Sequence, residues 1–387
     1  MAARKLRMGL VGGGEGSFIG AVHRMAAALD GQIELVCGAL SGDSERALRS
    51  AQAIGLAPRR SYTDFAAMMR AERTLPADER MDFVAIATPN HLHLPVALAA
   101  IEQGFHVLSD KPATLDLDEC RQLRNALRNG DVLYGLTHTY AGYPLVREAR
   151  ARIAAGELGA IRKVVVDYSQ GWLAAAAERD ANKQAQWRVD PERAGAGGCI
   201  GDIGVHAAHL AEYVSGLAIA ELCAELTRFV PGRRLDDDSS MLLRFDNGAR
   251  GMLHASQICC GEENNLTLRI YGERGGLVWN QEEPNSLWLL QADRPKQLLR
   301  AGGAHLSADV QALARVPAGH PEGYIEAFAN LYGDFVAAVR GVLAGTPVRD
   351  VATRLPGIDA GLRGMAFIEA AVASDAAGQR WVAVANA

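Results

Sequence analysis

Along the first third of the chain, short apolar runs alternate with stretches whose apolar residues recur at helical spacing. Leu6 to Val11, Ile33 to Leu40, Phe83 to Ala87 and His106 to Ser109 have the length and composition of buried strands. Between them, His23 to Leu29, Ser44 to Ala53 and the alanine-rich Pro95 to Gln103 carry the periodicity of helices. Strands alternating with helices predict right-handed βαβ units that close a parallel sheet. Ala71 to Arg80, charged and interrupted by Pro76, breaks the rhythm and is expected to be a surface loop.

After about Tyr134 the pattern changes. One helix, Leu145 to Ala155, precedes strand-like segments at Lys163 to Tyr168, Ser240 to Phe245, Gly251 to Ser256, Leu266 to Tyr271 and Ser286 to Leu290. Asp246-Asn247-Gly248 predicts a hairpin with a primed turn, because Asn and Gly accept positive φ. This half is expected to hold a largely antiparallel sheet. Tyr324 to Leu343 and Leu362 to Ala373 read as amphipathic helices.

Candidate chemistry begins where the first strand ends, at Gly12-Gly13-Gly14-Glu15-Gly16-Ser17-Phe18-Ile19-Gly20. A glycine-rich turn between strand and helix lets the backbone approach a pyrophosphate held at the helix N-terminus. A strict G-x-G-x-x-G would need glycine at Ser17, so the third glycine is either absent or displaced to Gly20 by an insertion. The expected fold is α/β. Residues 1–135 would form a dinucleotide-binding Rossmann domain on a doubly wound parallel sheet. Residues 136–387 would form a substrate-binding and oligomerisation α+β domain with a large, mostly antiparallel sheet, its C-terminal helices free to pack back on the first domain. A chain of 387 residues also exceeds the usual size of a single core.

Composition narrows the partners. With net charge -5 and its Lys and Arg scattered, the chain offers no footprint for nucleic acid. The six cysteines include no C-x-x-C pair and read as reduced, mostly buried thiols. His91 and His93 have no acidic or sulfur neighbour at a zinc-like spacing, so no metal is expected. Arg4, Lys5 and Arg7 precede an apolar run that leads into glycines rather than a cleavage site, and no window approaches the roughly 18 apolar residues of a membrane span. A cytoplasmic protein with no membrane partner is expected.

Two further segments carry a family resemblance. Thr88-Pro89-Asn90-His91-Leu92-His93, followed by a helix and then His106-Val107-Leu108-Ser109-Asp110-Lys111-Pro112, resembles the T-P-N-x-x-H and E-K-P pair of the glucose-fructose oxidoreductase/inositol dehydrogenase (Gfo/Idh/MocA) family. Trp187-Arg188-Val189-Asp190-Pro191-Glu192, then Gly195, Gly197, Gly198, Asp202, Gly204 and His206, is similar to a second stretch of that family. Three positions depart from it: the insertion in the glycine loop, Asp110 in place of the usual Glu, and Thr139 where many members have Arg. The resemblance implies an NAD(P)-dependent oxidoreductase transferring a hydride at a CH–OH or C=O carbon of a sugar, cyclitol or related polyol. Two rivals are an NAD-retaining glycoside hydrolase of the same fold and a catalytically silent NAD(P)-sensing binding protein. The latter would be expected to lose the Lys or the His, and this chain keeps both.

Lys111, just past a strand end, is expected to bind the reacting oxygen and stabilise alkoxide charge. Asp202 and His206 stand four apart and, if Gly201 to Tyr213 is helical, share one face, with His206 taking the hydroxyl proton and Asp202 orienting substrate. His209 is a rim residue on this reading, and His138 a candidate wall. Substrate contacts are expected from Lys111, Tyr140, Trp187, Arg188, Asp202 and His206. Cofactor contacts are expected from Gly12, Gly14, Gly16, Ser17, Phe18 and Ile19, from Ser41 and Arg46, and from Thr88, Pro89, Asn90, His93, Asp110 and Lys111. His93 would also lock the start of its helix, and the resemblance puts Asn90 near the nicotinamide ribose. An NAD enzyme usually ends its second strand with an acidic residue. Here Ser41 stands there, with Arg46 five residues on, an arrangement similar to NADP(H)-using anhydrofructose reductases, so the reading leans to NADP(H), with Asp43 as the competing ribose acceptor. A homodimer or homotetramer is expected, because a sheet covered by helices on one face leaves the other to be buried.

Overall fold

The first strand, β1 (Leu6–Gly12), is buried along nearly its whole length, as a strand covered on both faces must be. It leads through α1 (Phe18–Leu29), β2 (Ile33–Ala39), α2 (Ser44–Ala53), β3 (Ser61–Tyr62), α3 (Phe65–Thr74), β4 (Phe83–Ala87), α4 (His93–Glu102), β5 (His106–Ser109) and α5 (Leu117–Arg128) to β6 (Tyr134–Leu136). The strands pair in the order β3-β2-β1-β4-β5-β6, all parallel. This is a doubly wound sheet whose strand order reverses between β1 and β4, the point beyond which such sheets take ligands. The computed structural model describes residues 4–128, 131–180, 182–351 and 354–385. They fall into two compact units, Met1–Thr137 with Phe328–Leu362, and His138–Ala327 with Arg363–Ala387.

One expectation in the first unit is corrected. Ala71 to Thr74 are not loop but the last turn of α3, which Asp64 caps by accepting from Ala67 N at 2.6 Å. The charge pattern misleads because Glu72 points inward, fully buried, and pairs with Arg60.

The second unit begins with α6 (Pro144–Ala154), β7 (Ile161–Ser169), α7 (Lys183–Arg188), α8 (Pro191–Ala194) and α9 (Val205–Ser215). There follow β8 (Ile219–Thr227), β9 (Asp238–Phe245), β10 (Arg250–Ser256), β11 (Asn265–Gly272), β12 (Gly275–Asn280), β13 (Ser286–Gln291), β14 (Arg294–Arg300) and α10 (Ala308–Gln311). Next come α11 (Tyr324–Leu343) and α12 (Ile358–Ala376), each with residues in both units, and β15 (Val382–Ala383). The sheet order is β14-β13-β12-β11-β7-β10-β9-β8-β15, with β7 and β10 parallel and the other pairs antiparallel. Burial alternates along β9: Ser239, Met241, Leu243 and Phe245 point inward, while Leu242 is half exposed. Helices α6 and α9 lie against the sheet. On the outer face, register sets Leu242 beside Met252 and Met252 beside Val165, and further along sets Val278 beside Trp288 and Trp288 beside Leu298.

The turn between β9 and β10 differs from the primed turn expected. Gly248 N bonds Phe245 O at 2.9 Å and Phe245 N bonds Ala249 O at 3.0 Å, while Gly248 has φ 89 and Asn247 does not enter positive φ. It is a three-residue loop, in which a type I turn is followed by a left-handed glycine. Four strands of the sheet, β8, β12, β14 and β15, have no counterpart in the sequence pattern. β8 reads IAELCAELT, rich in helix formers, and pairing with β9 along its length overrides that propensity.

Candidate active site

The glycine loop is shaped by close approach. Gly12, Gly13 and Gly16 have φ of 77, 70 and 79, Gly14 N bonds Leu40 O, and Ser17 caps α1 by accepting from Gly20 N at 3.1 Å. A Cβ on Gly20 would stand 2.2 Å from Gly13 Cα, so the alternative left open by the sequence resolves: Gly20 is the glycine that lets helix and loop touch. Phe18 is exposed and Ile19 half-buried. Arg24, which the motif did not single out, donates from Nη1 to Gly13 O at 2.8 Å. Thr88 follows β4 beside this loop, its Cγ2 2.8 Å from where a Gly12 Cβ would be. Its Oγ1 is buried with no hydrogen-bond partner among the described residues. A glycine cradle at a helix N-terminus beside an unpaired hydroxyl suits a phosphorylated, hydroxyl-bearing group such as a dinucleotide.

At the end of β2, Ser41 Oγ accepts from Asp43 N at 3.1 Å, and Asp43 Oδ1 accepts from Arg46 N at 2.8 Å to cap α2. Arg46 is half-buried, and its guanidinium has no partner among the described residues.

Asp110-Lys111-Pro112 follows β5 directly. Asp110 N bonds Ile86 O at 2.9 Å, and Asp110 Oδ1 accepts from Thr137 Oγ1 at 2.9 Å. Pro89 leads into a single turn of 3-10 helix, Asn90–Leu92, in which Asn90 is buried. His93 is buried too, and both ring nitrogens meet main-chain carbonyls. Beneath the loop, His23 Nδ1 lies 2.7 Å from Tyr332 Oη, and burial pushes its pKa down to about 4.

In the second unit, Asp202 and His206 are not on one continuous α-helix as expected. Ile200–Gly204 is a π-helical turn that continues into α9, a widening frequent at functional sites. Asp202 Oδ2 accepts two bonds, from Arg188 Nε at 3.0 Å and Gln257 Nε2 at 2.9 Å. The Arg188 guanidinium lies over Trp187, 4.3 Å from the ring centroid, and 5.7 Å from that of Trp172. Trp187 thus reaches Asp202 through Arg188. His206 is enclosed by rings, with centroids of Tyr140 at 5.0 Å, His138 at 5.7 Å and Tyr168 at 6.5 Å. The Tyr140 and Tyr168 hydroxyls hydrogen-bond each other, and Tyr168 Oη and Gln170 Nε2 both donate to Asn264 Oδ1 at 2.7 Å. Burial pushes Tyr140 up to about 12 and holds Tyr168 well above the ordinary tyrosine range, so both stay neutral at physiological pH. His209 stacks on His138 at 3.9 Å, and burial pushes its pKa down to about 3.

The structure assigns Lys111 to the first unit and Asp202, His206, Tyr140, Trp187 and Arg188 to the second. Sequence reasoning missed Gln257, Tyr168, Asn264 and Asp236. Asp236 accepts from Gly198 N at 2.6 Å and Ile200 N at 2.8 Å, bracing the start of the π turn, and burial raises its pKa to about 6. No short motif marks these residues, and sheet pairing is what gathers them. Among the described residues no cluster of His, Cys, Asp or Glu is arranged to hold a metal ion, and no helix is long and apolar enough to cross a membrane.

Comparison with known proteins follows the same division. Residues 6–138 match the oxidoreductase family with an NAD-binding Rossmann fold, and residues 146–278 match the GFO/IDH/MocA C-terminal domain. The uncharacterized oxidoreductase YfiI of Bacillus subtilis is 31% identical over 98% of this chain and 97% of its own length. The levoglucosan dehydrogenase of Pseudarthrobacter phenanthrenivorans is 29% identical over 75% of this chain and 78% of its own. An inositol dehydrogenase homolog from Azotobacter vinelandii, solved in complex with NADH and myo-inositol, superposes with a TM-score of 0.92 at 34% identity, covering 98% of each chain. The fold and these matches define an oxidoreductase with an NAD-binding domain. The chain belongs to the Gfo/Idh/MocA family.

Proposed function

We propose that the chain is an NAD(P)-dependent dehydrogenase or reductase that moves a hydride between its cofactor and a CH–OH or C=O carbon of a sugar, cyclitol or related polyol. The observation that carries this reading is the polar wall around His206: Asp202 held by Arg188 and Gln257, and Tyr140 and Tyr168 joined to Asn264. Such fixed donors and acceptors suit a substrate with many hydroxyls. The relatives known to act on or hold levoglucosan and myo-inositol support the same class.

A bound nicotinamide supplies the hydride-accepting ring. The glycine loop Gly12–Gly16, Ser17 and Thr88 would hold the dinucleotide, with Asn90 near its ribose. Lys111 donates to the reacting oxygen and stabilises its charge as the proton leaves. His206 takes that proton, and Asp202, held by Arg188 and Gln257, orients the substrate. At the adenosine end, Ser41 and Arg46 would give a 2′-phosphate a foothold while one carboxylate oxygen of Asp43 caps α2, which favours NADP(H) over NAD(H). The open face of the nine-stranded sheet, with Leu242, Met252, Trp288 and Leu298 exposed, receives a second copy of the chain.

The test is a panel of cyclitols, aldoses and keto-sugars with each cofactor, read at the absorbance of the reduced nicotinamide. On the best substrate, Lys111→Ala and His206→Ala each lower turnover about a hundredfold or more, with NADH affinity changed little. Near wild-type turnover in both variants would falsify the assignment.

A further inference from the structure

His93 opens α4 with its side chain almost fully buried. Its Nδ1 lies 2.7 Å from Pro112 O and its Nε2 lies 3.0 Å from Thr88 O. Thr88 is the first residue past β4, and Pro112 stands three residues past the end of β5. The β4–β5 ladder closes at Ile86 and Ser109, and Asp110 N reaches back to Ile86 O at 2.9 Å. The imidazole ring lies between these two carbonyls. A neutral ring donates one N–H, and burial favours the neutral ring; the shorter contact gives that donor to the Pro112 carbonyl.

Lys111 is thereby tied on both sides. Asp110 is fixed through its N–H by Ile86 and through its carboxylate by Thr137, and Pro112 is fixed through its carbonyl by His93. We propose that His93 is a positioning residue that ties Pro112 to the start of α4 and so sets the backbone from which Lys111 reaches the reacting oxygen. This rests on the reading of Lys111 given above. Displacing a reacting group by about 1 Å can cost on the order of a hundredfold in rate, so a side chain that never touches substrate can still govern turnover.

The experiment compares wild type, His93→Leu and His93→Gln, each also combined with Lys111→Ala. Amide hydrogen exchange without ligand, NADH affinity by fluorescence, and kcat and KM on the best substrate of the panel are measured. In His93→Leu, exchange over 107–116 quickens while that over 6–12 does not. Its kcat falls about tenfold to a hundredfold, and its NADH affinity stays within about threefold. His93→Gln, which keeps an N–H donor, recovers part of the rate and carries the comparison if His93→Leu does not fold. In the Lys111→Ala background either substitution lowers kcat no further, because the ring acts through the lysine. Unchanged exchange over 107–116, an unchanged kcat, or a loss that multiplies in full with that of Lys111→Ala overturns the proposal. If exchange quickens but Lys111→Ala alone keeps wild-type turnover, it is the role of Lys111 that has failed, and the catalytic part of the proposal falls with it.

Discussion

Ser41, Asp43 and Arg46 sit within six residues of one another at the end of β2, and main-chain bonds already engage two of the side chains. Asp43 spends one carboxylate oxygen on the cap of α2, a bond worth about 1 kcal/mol. Arg46 keeps an unengaged guanidinium that a phosphate dianion would attract. Arg46→Ala is therefore expected to lower kcat/KM with NADP(H) about tenfold at fixed salt, roughly one charge-assisted bond, and to leave kcat/KM with NAD(H) within about twofold. An unmoved ratio of the two would return the ribose to Asp43. At this scale the sequence was most legible where chemistry follows a strand end. Lys111 could be singled out because Asp-Lys-Pro directly follows an apolar run, whereas Gln257 and Asn264 stand in segments without any motif.

Among the elements, α1 depends on the approach of Gly20 to Gly13. A methyl group on Gly20 would meet backbone rather than a movable side chain, so loop and helix must separate at a cost of about 1–3 kcal/mol. Gly20→Ala is expected to weaken NADH binding tenfold or more in a fluorescence titration. Gly333→Ala, inside α11 with open space where its Cβ would stand, should instead raise thermal stability by up to about 1 kcal/mol and leave NADH binding alone. Equal effects of the two substitutions would mean that the close approach is not what the loop needs. In the doubly wound sheet β1, β2, β4 and β5 were legible because both faces are apolar, which makes each a short, unbroken run, whereas β3 and β6, two and three residues long, were too short to leave a pattern. β8 and β14 were not legible either. One is built of helix formers, and the other, Arg294–Arg300, is a polar edge strand whose side chains are mostly exposed.

For the whole molecule, the proposed assembly rests on the outer face of the second sheet. Burying Trp288 and Leu298 against a partner would contribute about 1.5–3 kcal/mol each, enough that this face should not stay open. Light scattering at micromolar concentration is expected to give a dimer or larger, and Leu242→Glu with Trp288→Glu to give a monomer. A monomeric wild type would remove the interface. The sequence by itself determined the alternation of strands and helices, the glycine loop and the residues of the two family motifs, because periodicity and motif spacing are local properties of the chain. Tertiary structure alone decided which groups hold those residues in place. β7 pairs with both β10 and β11, and that register brings Tyr168, Gln257 and Asn264 from three separate segments to the surroundings of Asp202 and His206. No stretch of sequence carries the sign of such a meeting, because the hydrogen bonds that create it join residues about 50 to 100 positions apart.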